Sequence, residues 1–365
     1  MTEHSREVVD VRRRCLAEVK ARVRLSIDAP TPVLPECMRF GIQLGIGLGD
    51  VTRLHDTVQL VEGLGYDVIY FPDHLVLEGP ERQRMGGPAF DSMAMATIAA
   101  QATRRVRVGH MVLCNLFRHP AITAQSLATL DQLSGGRALA GLGSGWTETE
   151  FRMTGIPYPP IAERLRMLDE SLTCIRGVWC DTPFTHEGEF FRFRDADLLP
   201  KTVQKPHPPI VLGGGGKGLL RIAAKHADVL NVISEVGKQG YISMAGAAKL
   251  DEDAVRSKID FVRDEAAKLG RDPQSIEISD FVFTLMLVDA PDASRAMREG
   301  MAGALGSTPD AVGRAPMVLI GTPEEMVAEL RRRVREWGVR ELVLQFQDEG
   351  TVTRFAREVA PALRS

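Results

Sequence analysis

Apolar runs of four to eight residues alternate along the chain with longer stretches of helical periodicity, beginning at residue 40. Short apolar runs are typical of buried strands, and no turn-linked hairpin pattern joins consecutive runs. Strands separated by helices in this way indicate parallel βαβ units. The predicted strands cover residues 40–44, 67–71, 106–113, 137–143, 209–213, 228–233, 281–288 and 341–346.

The helical stretches carry start and stop signals. One ends in Gly135 and Gly136, which suit the left-handed conformation that commonly stops a helix. Another, over 321–338, has Thr322 as its N-cap, Pro323 at the first helical position and arginine in its last turn. These placements match helix capping and the helix dipole, so the helices between the strands are well defined.

Eight such units predict an α/β fold, a (β/α)8 TIM barrel with insertions at its C-terminal mouth, over residues 38–365. An open doubly wound sheet is the alternative. It would normally carry a G-x-G-x-x-G loop after its first strand, whereas Gly45, Gly47 and Gly49 simply alternate. The barrel is therefore the preferred interpretation.

Two segments fall outside the regular repeat. Residues 1–37 are highly charged and then rich in proline, which predicts a helical arm and a linker; a solvated tail is the alternative. Residues 144–208 are long for one βα step, and we expect an insertion that forms a lid over the barrel mouth.

Composition excludes several classes of function. The chain is 44% hydrophobic and 25% charged with a net charge of −3, so nothing favours a nucleic acid or a membrane surface as partner. No apolar run approaches the roughly 18 residues that span a bilayer. The five cysteines form no C-x-x-C pair, which argues against a zinc site or a disulfide framework and fits a cytoplasmic location.

The predicted strand 67–71 leads into Asp73 and His74. The carboxyl ends of barrel strands form the active face, so both side chains are expected at the mouth. A histidine can move a proton near neutral pH, and an adjacent carboxylate can orient it. A strand-end turn with an aspartate cap and a surface histidine is the alternative.

Two glycine-rich segments follow other strands. The predicted strand 137–143 leads into Gly143, Ser144, Gly145 and Trp146. The glycines have no side chains, so a flat ligand could lie against the backbone there, with Trp146 as one wall of its pocket. A glycine-rich turn beside a core tryptophan is the alternative.

The strand 209–213 runs into four glycines and a helix start. Successive backbone N–H groups at such a start bind anions, which predicts a phosphate site for a cofactor tail rather than a mere flexible loop. No recurring pair of histidine and acid has metal-ligand spacing, so no metal is expected. The residues of this predicted cradle are Gly213, Gly214, Gly215, Gly216 and Lys217.

Taken in order, the motifs YDVIYFPDHL, VGHMVLCNLFRHP, GLGSGW, PPIVLGGGG and GTPEEM make residues 39–365 resemble the bacterial luciferase-like family of flavin and deazaflavin oxidoreductases. The resemblance implies a TIM barrel, usually a homodimer, with a flavin-type ring at the mouth. Asp73 and His74 match the Asp-His of members that use a deazaflavin, whereas members that use FMN more often have Glu-His. The implied cofactor is coenzyme F420, with FMN as the alternative.

The resemblance also assigns roles. His74 would handle the proton of the substrate, with Asp73 beside it as a second catalytic residue. Members often have a non-proline cis peptide where Met111 and Val112 stand. The implied cofactor contacts are Asp73, Met111, Val112, Gly143, Ser144, Gly145 and Trp146 around the ring and Gly213 to Lys217 at the phosphate.

One position departs from the family. Its sugar-phosphate dehydrogenases place a glutamate where Trp146 stands, and an indole cannot carry a proton as that glutamate does. The expected activity is therefore hydride transfer between reduced F420 and a small, largely apolar organic substrate. With FMN the chain would be an O2-using monooxygenase, and a non-catalytic flavin-binding barrel is a further alternative.

Overall fold

The structure, a computed structural model, describes residues 38–45, 51–76, 90–233 and 251–364, so the predicted arm 1–37 lies outside the described residues. Its strands are β1 Arg39–Gln43, β2 Val68–Phe71, β3 Arg107–His110, β4 Leu113–Cys114, β5 Ala138–Gly143, β6 Phe184–Glu187, β7 Arg192–Ala196, β8 Ile210–Gly214, β9 Val229–Val232, β10 Glu277–Val282, β11 Thr284–Leu287, β12 Val318–Gly321 and β13 Val339–Gln345.

The α-helices are α1 Leu54–Gly63, α2 Ser92–Ala102, α3 Pro120–Ser134, α4 Glu148–Thr154, α5 Ile161–Trp179, α6 Lys217–His226, α7 Glu252–Lys268, α8 Pro291–Leu305, α9 Pro309–Arg314, α10 Pro323–Trp337 and α11 Glu349–Arg354. A π-helix, Phe355–Val359, follows α11.

Eight parallel strands close into a barrel in the order β1, β2, β3, β5, β8, β9, β10 and β13, and β13 pairs again with β1. The short strand β4 continues β3 along the edge of β5. The strands form because their apolar residues are buried on the helical side, as Phe40, Ile42 and Leu342 are. The predicted (β/α)8 barrel is confirmed.

Two predicted strands are each divided into two in the structure, whereas the others differ only by one or two residues at their ends. The predicted strand 106–113 divides into β3 and β4 at Met111–Val112, where the peptide bond is cis. The predicted strand 281–288 is the end of β10 followed by β11, which pairs outside the barrel with the unpredicted β12. The start of β10 was missed because it is polar: Asp280 is buried through an ion pair of 2.7 Å with Arg333.

The predicted helix signals are confirmed. The Thr322 side chain accepts a hydrogen bond from the N–H of Glu325, whose carboxylate accepts one from Thr322 in return, which makes a capping box with Pro323 in the first turn. Gly135 ends α3 in the left-handed region with φ 68°. These signals are local, which is why the sequence alone is enough to identify them.

The segment 144–208 forms α4, α5 and the antiparallel hairpin of β6 and β7. Helix α5 packs between α3 and α6 in the outer ring. The hairpin turn lies against α5, where Glu170 accepts hydrogen bonds from the N–H groups of Phe190 (3.0 Å) and Phe191 (2.8 Å). The ring of Phe191 also contacts His119 at the start of α3. A lid over the mouth stays a prediction.

Paired polar groups fill part of the barrel interior. Glu341 accepts hydrogen bonds from the hydroxyls of Tyr70 (3.1 Å) and Ser279 (3.0 Å), and Arg39 lies 3.4 Å from its carboxylate. Asn231 donates to Ser279. These hydrogen bonds tie four strands of the barrel together through their side chains.

Candidate active site

Asp73 follows β2 and binds protein groups through both carboxylate oxygens. Arg118 donates to them at 2.6 and 3.1 Å, Ser92 at 2.9 Å, and the N–H of Cys114 at 2.9 Å. Burial alone would raise the pKa of Asp73, but Arg118, together with the Cys114 and Ser92 donors, holds it below the usual value. The ionised Asp73 thus ties the end of β2 to the loop after β4.

His74 is partly exposed, and its Nδ1 lies 3.2 Å from both oxygens of Glu150. Its ring packs edge-on against Trp146, with the two ring centroids 5.3 Å apart. The carboxylate that contacts His74 therefore comes from α4 and not from the adjacent Asp73. An imidazole held in this way can exchange a proton through Nε2.

The loop that carries Trp146 is held from behind. The hydroxyl of Tyr158 donates to the Trp146 carbonyl at 3.1 Å, and the guanidinium of Arg164 donates to the carbonyl of Gly145. Arg164 also lies over the Tyr158 ring, 4.0 Å from its centroid. These contacts fix the backbone that positions the indole beside His74.

The glycines after β5 make room for protein atoms. A Cβ at Gly143 would lie 2.5 Å from Cγ2 of Val112, and one at Gly145, with φ +76°, would lie 2.9 Å from the sulfur of Cys114. Val112 also lies 3.4 Å from a Cβ placed on Gly213. The sequence predicted that a flat ligand would lie beside Gly143, but Val112 lies there in the structure. Val112 is next to both glycine segments.

The predicted phosphate cradle forms the turn from β8 into α6. Gly216 is the N-cap of α6, with no side-chain cap, and a Cβ placed on it would meet no atom of the described residues within 4 Å. Open space beside uncapped N–H groups at a helix start fits the phosphate of a cofactor tail. Gly214 and Gly215 pack tightly, against Leu219 and the Ile233 carbonyl.

Two lysines lie near this turn. Lys258 of α7 donates to the Gly215 carbonyl at 2.5 Å. The ammonium of Lys217 is exposed and lies 5.9 Å from the Phe261 ring centroid, beside α7. A contact of Lys217 with a cofactor phosphate stays a prediction.

The structure places His74 beside Trp146, whereas the Asp73 carboxylate binds Arg118 and Ser92. Val112 lies next to both glycine segments. Sequence reasoning missed Glu150 and Ser92, and gave no role to Arg118. The sequence shows only that Glu150 is an acid one helical turn after Trp146. Acids are common in the first turn of any exposed helix, so this position did not indicate a contact with His74. Ser144 lies in the same loop, half-buried between Gly143 and Gly145.

Within the described ranges, no group of three or more histidine, cysteine, aspartate or glutamate residues has the arrangement to hold a metal ion. No helix of the described part combines the length and apolar character needed to cross a membrane.

Comparison with known proteins identifies the family. Residues 38–301 match the Luciferase-like monooxygenase family. The chain is 28% identical over 314 residues to an F420-dependent glucose-6-phosphate dehydrogenase of Amycolatopsis mediterranei, covering 83% of this chain and 92% of the relative. It is 35% identical over 138 residues to an FMNH(2)-dependent dimethylsulfone monooxygenase of Pseudomonas putida, covering 38% of each.

Solved structures share the fold. An F420-dependent secondary alcohol dehydrogenase in complex with an F420-acetone adduct superposes with a TM-score of 0.70 at 22% identity, covering 90% of this chain and 100% of that one. The long-chain alkane monooxygenase LadA superposes with a TM-score of 0.71 at 17% identity, covering 90% and 92%. The barrel, the matched residues and the relatives lead to one conclusion: the chain is an oxidoreductase that belongs to the luciferase-like family.

Proposed function

We propose that this chain is a coenzyme F420-dependent oxidoreductase that transfers a hydride between the cofactor and a small, largely apolar organic substrate. The observation that carries the proposal is the His74 imidazole after β2, contacted at Nδ1 by Glu150 and packed against Trp146. The F420-dependent relative that covers most of the chain supports the cofactor.

The residues that would hold the cofactor form two groups. The uncapped start of α6 at Gly216 would bind the phosphate of its tail. Met111, Val112, Ser144 and Trp146 would flank the ring, as the family resemblance implies. Bound F420 supplies the two-electron chemistry, and the protein supplies binding, orientation and exclusion of water.

His74 is the residue that would exchange a proton with the substrate. Proton exchange at Nε2 would balance the charge that hydride transfer creates on the substrate. Asp73, with both oxygens bound to protein donors, would anchor the loop rather than carry a proton. Trp146 offers an apolar face where sugar-phosphate dehydrogenases have a glutamate, which favours an apolar substrate over a sugar phosphate.

An FMN-dependent monooxygenase is the second candidate, supported by the 35% identity with the dimethylsulfone monooxygenase. It would share the barrel and the phosphate cradle. The Asp73-His74 pair, which resembles that of deazaflavin-using members, favours F420.

Turnover assays with each cofactor distinguish the F420-dependent oxidoreductase from the FMN-dependent monooxygenase. Purified protein would be given reduced F420 without oxygen and a panel of enones, quinones and imines, and in parallel reduced FMN with oxygen. We expect acceptor-dependent oxidation of F420 and no protein-dependent oxygen uptake. Oxygen uptake with reduced FMN, coupled to oxygenation of a panel compound, would establish the monooxygenase instead. Binding of a cofactor without any turnover would favour a non-catalytic barrel.

The phosphate cradle is tested by Gly216→Asp. The new carboxylate would cap α6 and occupy its N–H groups, so cofactor affinity should fall about tenfold or more, equivalent to about 1.4 kcal/mol. Thermal stability should stay the same or rise slightly, because aspartate is the better N-cap. Fluorescence titration and a melting curve measure the two effects.

Lys217→Gln is the matched comparison for that variant. The Lys217 ammonium lies beside Phe261, so this change should alter cofactor affinity less than Gly216→Asp does. A larger loss for Lys217→Gln would move the phosphate contact from the helix start to the lysine.

We also propose a homodimer that forms through α2 and α3, neighbouring helices whose exposed positions carry no charge. Helix α10 contrasts with them, since its exposed positions carry charged residues such as Arg331 and Glu336. Uncharged, partly apolar surfaces of this kind favour association. The exposed residues of α2 and α3 are Ala94, Ile98, Gln101, Ile122, Gln125, Thr129, Gln132 and Leu133. A cytoplasmic location remains part of this proposal.

Ile98→Arg tests the dimer. Ile98 is 42% exposed, and a charge at this position would be buried without a partner in the interface. We expect the protein to shift from dimer to monomer in light scattering after size exclusion. Leu269→Arg, at a residue 59% exposed at the end of α7, should leave the dimer intact. A wild-type monomer, or an unchanged dimer in Ile98→Arg, would contradict the proposed interface.

A further inference from the structure

We propose that Glu150 is a positioning residue that fixes the orientation and tautomer of His74, an inference that rests on the proposed function. No motif in the sequence pointed to this pair, because the two residues are 76 positions apart. The barrel brings the end of β2 next to the short helix α4, so that a carboxylate and an imidazole from different βα units meet.

The geometry of the pair is symmetric. Nδ1 of His74 lies 3.2 Å from Oε1 and 3.2 Å from Oε2 of Glu150. The Glu150 side chain is 3% exposed and the His74 side chain 22% exposed. The carboxylate is therefore shielded from solvent, whereas the imidazole is partly accessible.

The carboxylate is itself held in place. Its Oε1 accepts hydrogen bonds from the backbone N–H of Leu75 at 2.6 Å and of Val76 at 3.2 Å. Backbone donors that follow His74 directly thus set the position of Glu150 relative to the imidazole. Because Glu150 is bound to the same turn that carries His74, it can orient the imidazole ring without any movement of the backbone.

The chemical consequence concerns the two ring nitrogens. A carboxylate at Nδ1 favours the tautomer with hydrogen on Nδ1, which makes Nε2 the basic nitrogen. The same carboxylate stabilises the imidazolium that forms when Nε2 takes up a proton. Glu150 would therefore act on the reaction through His74, without contact with the substrate.

Trp146 is the second neighbour of the His74 ring. Its indole packs edge-on against the imidazole, with the two ring centroids 5.3 Å apart. Glu150, on α4 just after this loop, contacts Nδ1. The same βα unit thus supplies both a carboxylate and an apolar ring to the histidine.

A purely structural role for Glu150 makes a different prediction. In that case the carboxylate only caps the turn of Leu75 and Val76, and its loss would lower stability without changing the ring nitrogens of His74. The experiment must therefore report on the imidazole itself.

The first readout is the tautomer of His74 in cofactor-free protein labelled with ¹⁵N-histidine, with its resonances assigned by comparison with His74→Asn. At a pH where the ring is neutral, the wild type should carry hydrogen on Nδ1. Glu150→Gln should reduce this preference, because one amide oxygen cannot serve three donors and the amide N–H groups would face them. Glu148→Gln, an exposed acid on the same helix, should behave like the wild type.

The second readout is a double-mutant cycle in turnover. Glu150→Gln should lower kcat by roughly 10- to 100-fold, the range seen for residues that orient a metal-ligating histidine. Cofactor affinity should stay within a few-fold. In a His74→Ala background the same change should have no further effect on kcat, because Glu150 acts through His74.

The outcomes separate this inference from the proposed function. Hydrogen on Nε2 of His74 in the wild type would overturn the role of Glu150, even if Glu150→Gln fails to fold. An equal kcat loss for Glu150→Gln with and without His74 would overturn it as well, while leaving F420-dependent turnover established. Absence of any F420 activity with the Nδ1 tautomer present would instead count against the proposed function alone.

Discussion

His74→Ala is expected to lower kcat by about 10²- to 10⁴-fold, the usual contribution of a positioned acid or base. The ring lies after β2, where barrel enzymes place catalytic groups, and it has a carboxylate at 3.2 Å on one nitrogen. Removing it takes away the proposed proton carrier and leaves the start of α6, the proposed phosphate site, intact. The measurement is steady-state turnover with a competent acceptor, together with the cofactor Kd.

Two variants make this result specific. His74→Asn keeps a polar side chain beside Glu150 but cannot carry a proton, so it should lose as much kcat as His74→Ala. His55→Ala, at an exposed histidine of α1, should leave kcat unchanged. If His74→Ala turned over at the wild-type rate, the catalytic role of His74 would be wrong.

Asp73→Asn is expected to destabilise the folded protein by about 3 kcal/mol, because it removes the buried carboxylate partner of the mostly buried Arg118 and leaves only the exposed Asp91 beside it. An asparagine can accept only part of the hydrogen bonds that Arg118, Ser92 and the Cys114 N–H donate to Asp73. Denaturant unfolding at neutral pH measures the loss. Asp91→Asn is the matched control, since Asp91 also contacts Arg118 but is 58% exposed, and asparagine still caps α2.

The pH dependence of stability gives a second test of the same ion pair. The folded-state pKa of Asp73 lies below its ordinary value of 3.8, so the pair stabilises the fold fully above about pH 4. This contribution is lost as the pH falls through the folded-state pKa. The free energy of unfolding should therefore fall more steeply below pH 4 in the wild type than in Asp73→Asn. Parallel curves, or a loss below 1 kcal/mol at neutral pH, would contradict the account.

The sequence was sufficient where the signal is local. The capping box of Thr322 and Glu325 and the left-handed stop at Gly135 depend on residues within one or two turns. The barrel followed from eight apolar runs in alternation with such helices. The strand prediction failed at the start of β10. There the polar residue Asp280 is buried, and its partner is Arg333 of α10, 53 positions away in the chain.

The residues at the strand ends of the candidate site could be predicted from the sequence. The residues that contact them from other parts of the chain could not. Asp73 and His74 were found because they follow a strand, and Trp146 because it follows a glycine-rich one. Arg118 and Glu150 contact them from 45 and 76 positions away, and no spacing in the chain encodes such a contact. The glycines after β5 showed that something approaches the backbone, but the approaching group at Gly143 is Val112.

The central claim is that the mouth of this barrel binds coenzyme F420, and a fluorescence titration of the purified protein with F420 beside one with FMN tests it most directly. The account predicts saturable binding of F420 that is clearly tighter than that of FMN, and weaker in Gly216→Asp. Tighter binding of FMN would contradict the F420 assignment and favour the oxygen-using monooxygenase. Binding of neither cofactor by the folded protein would contradict the assignment of this mouth as a flavin-type cofactor site.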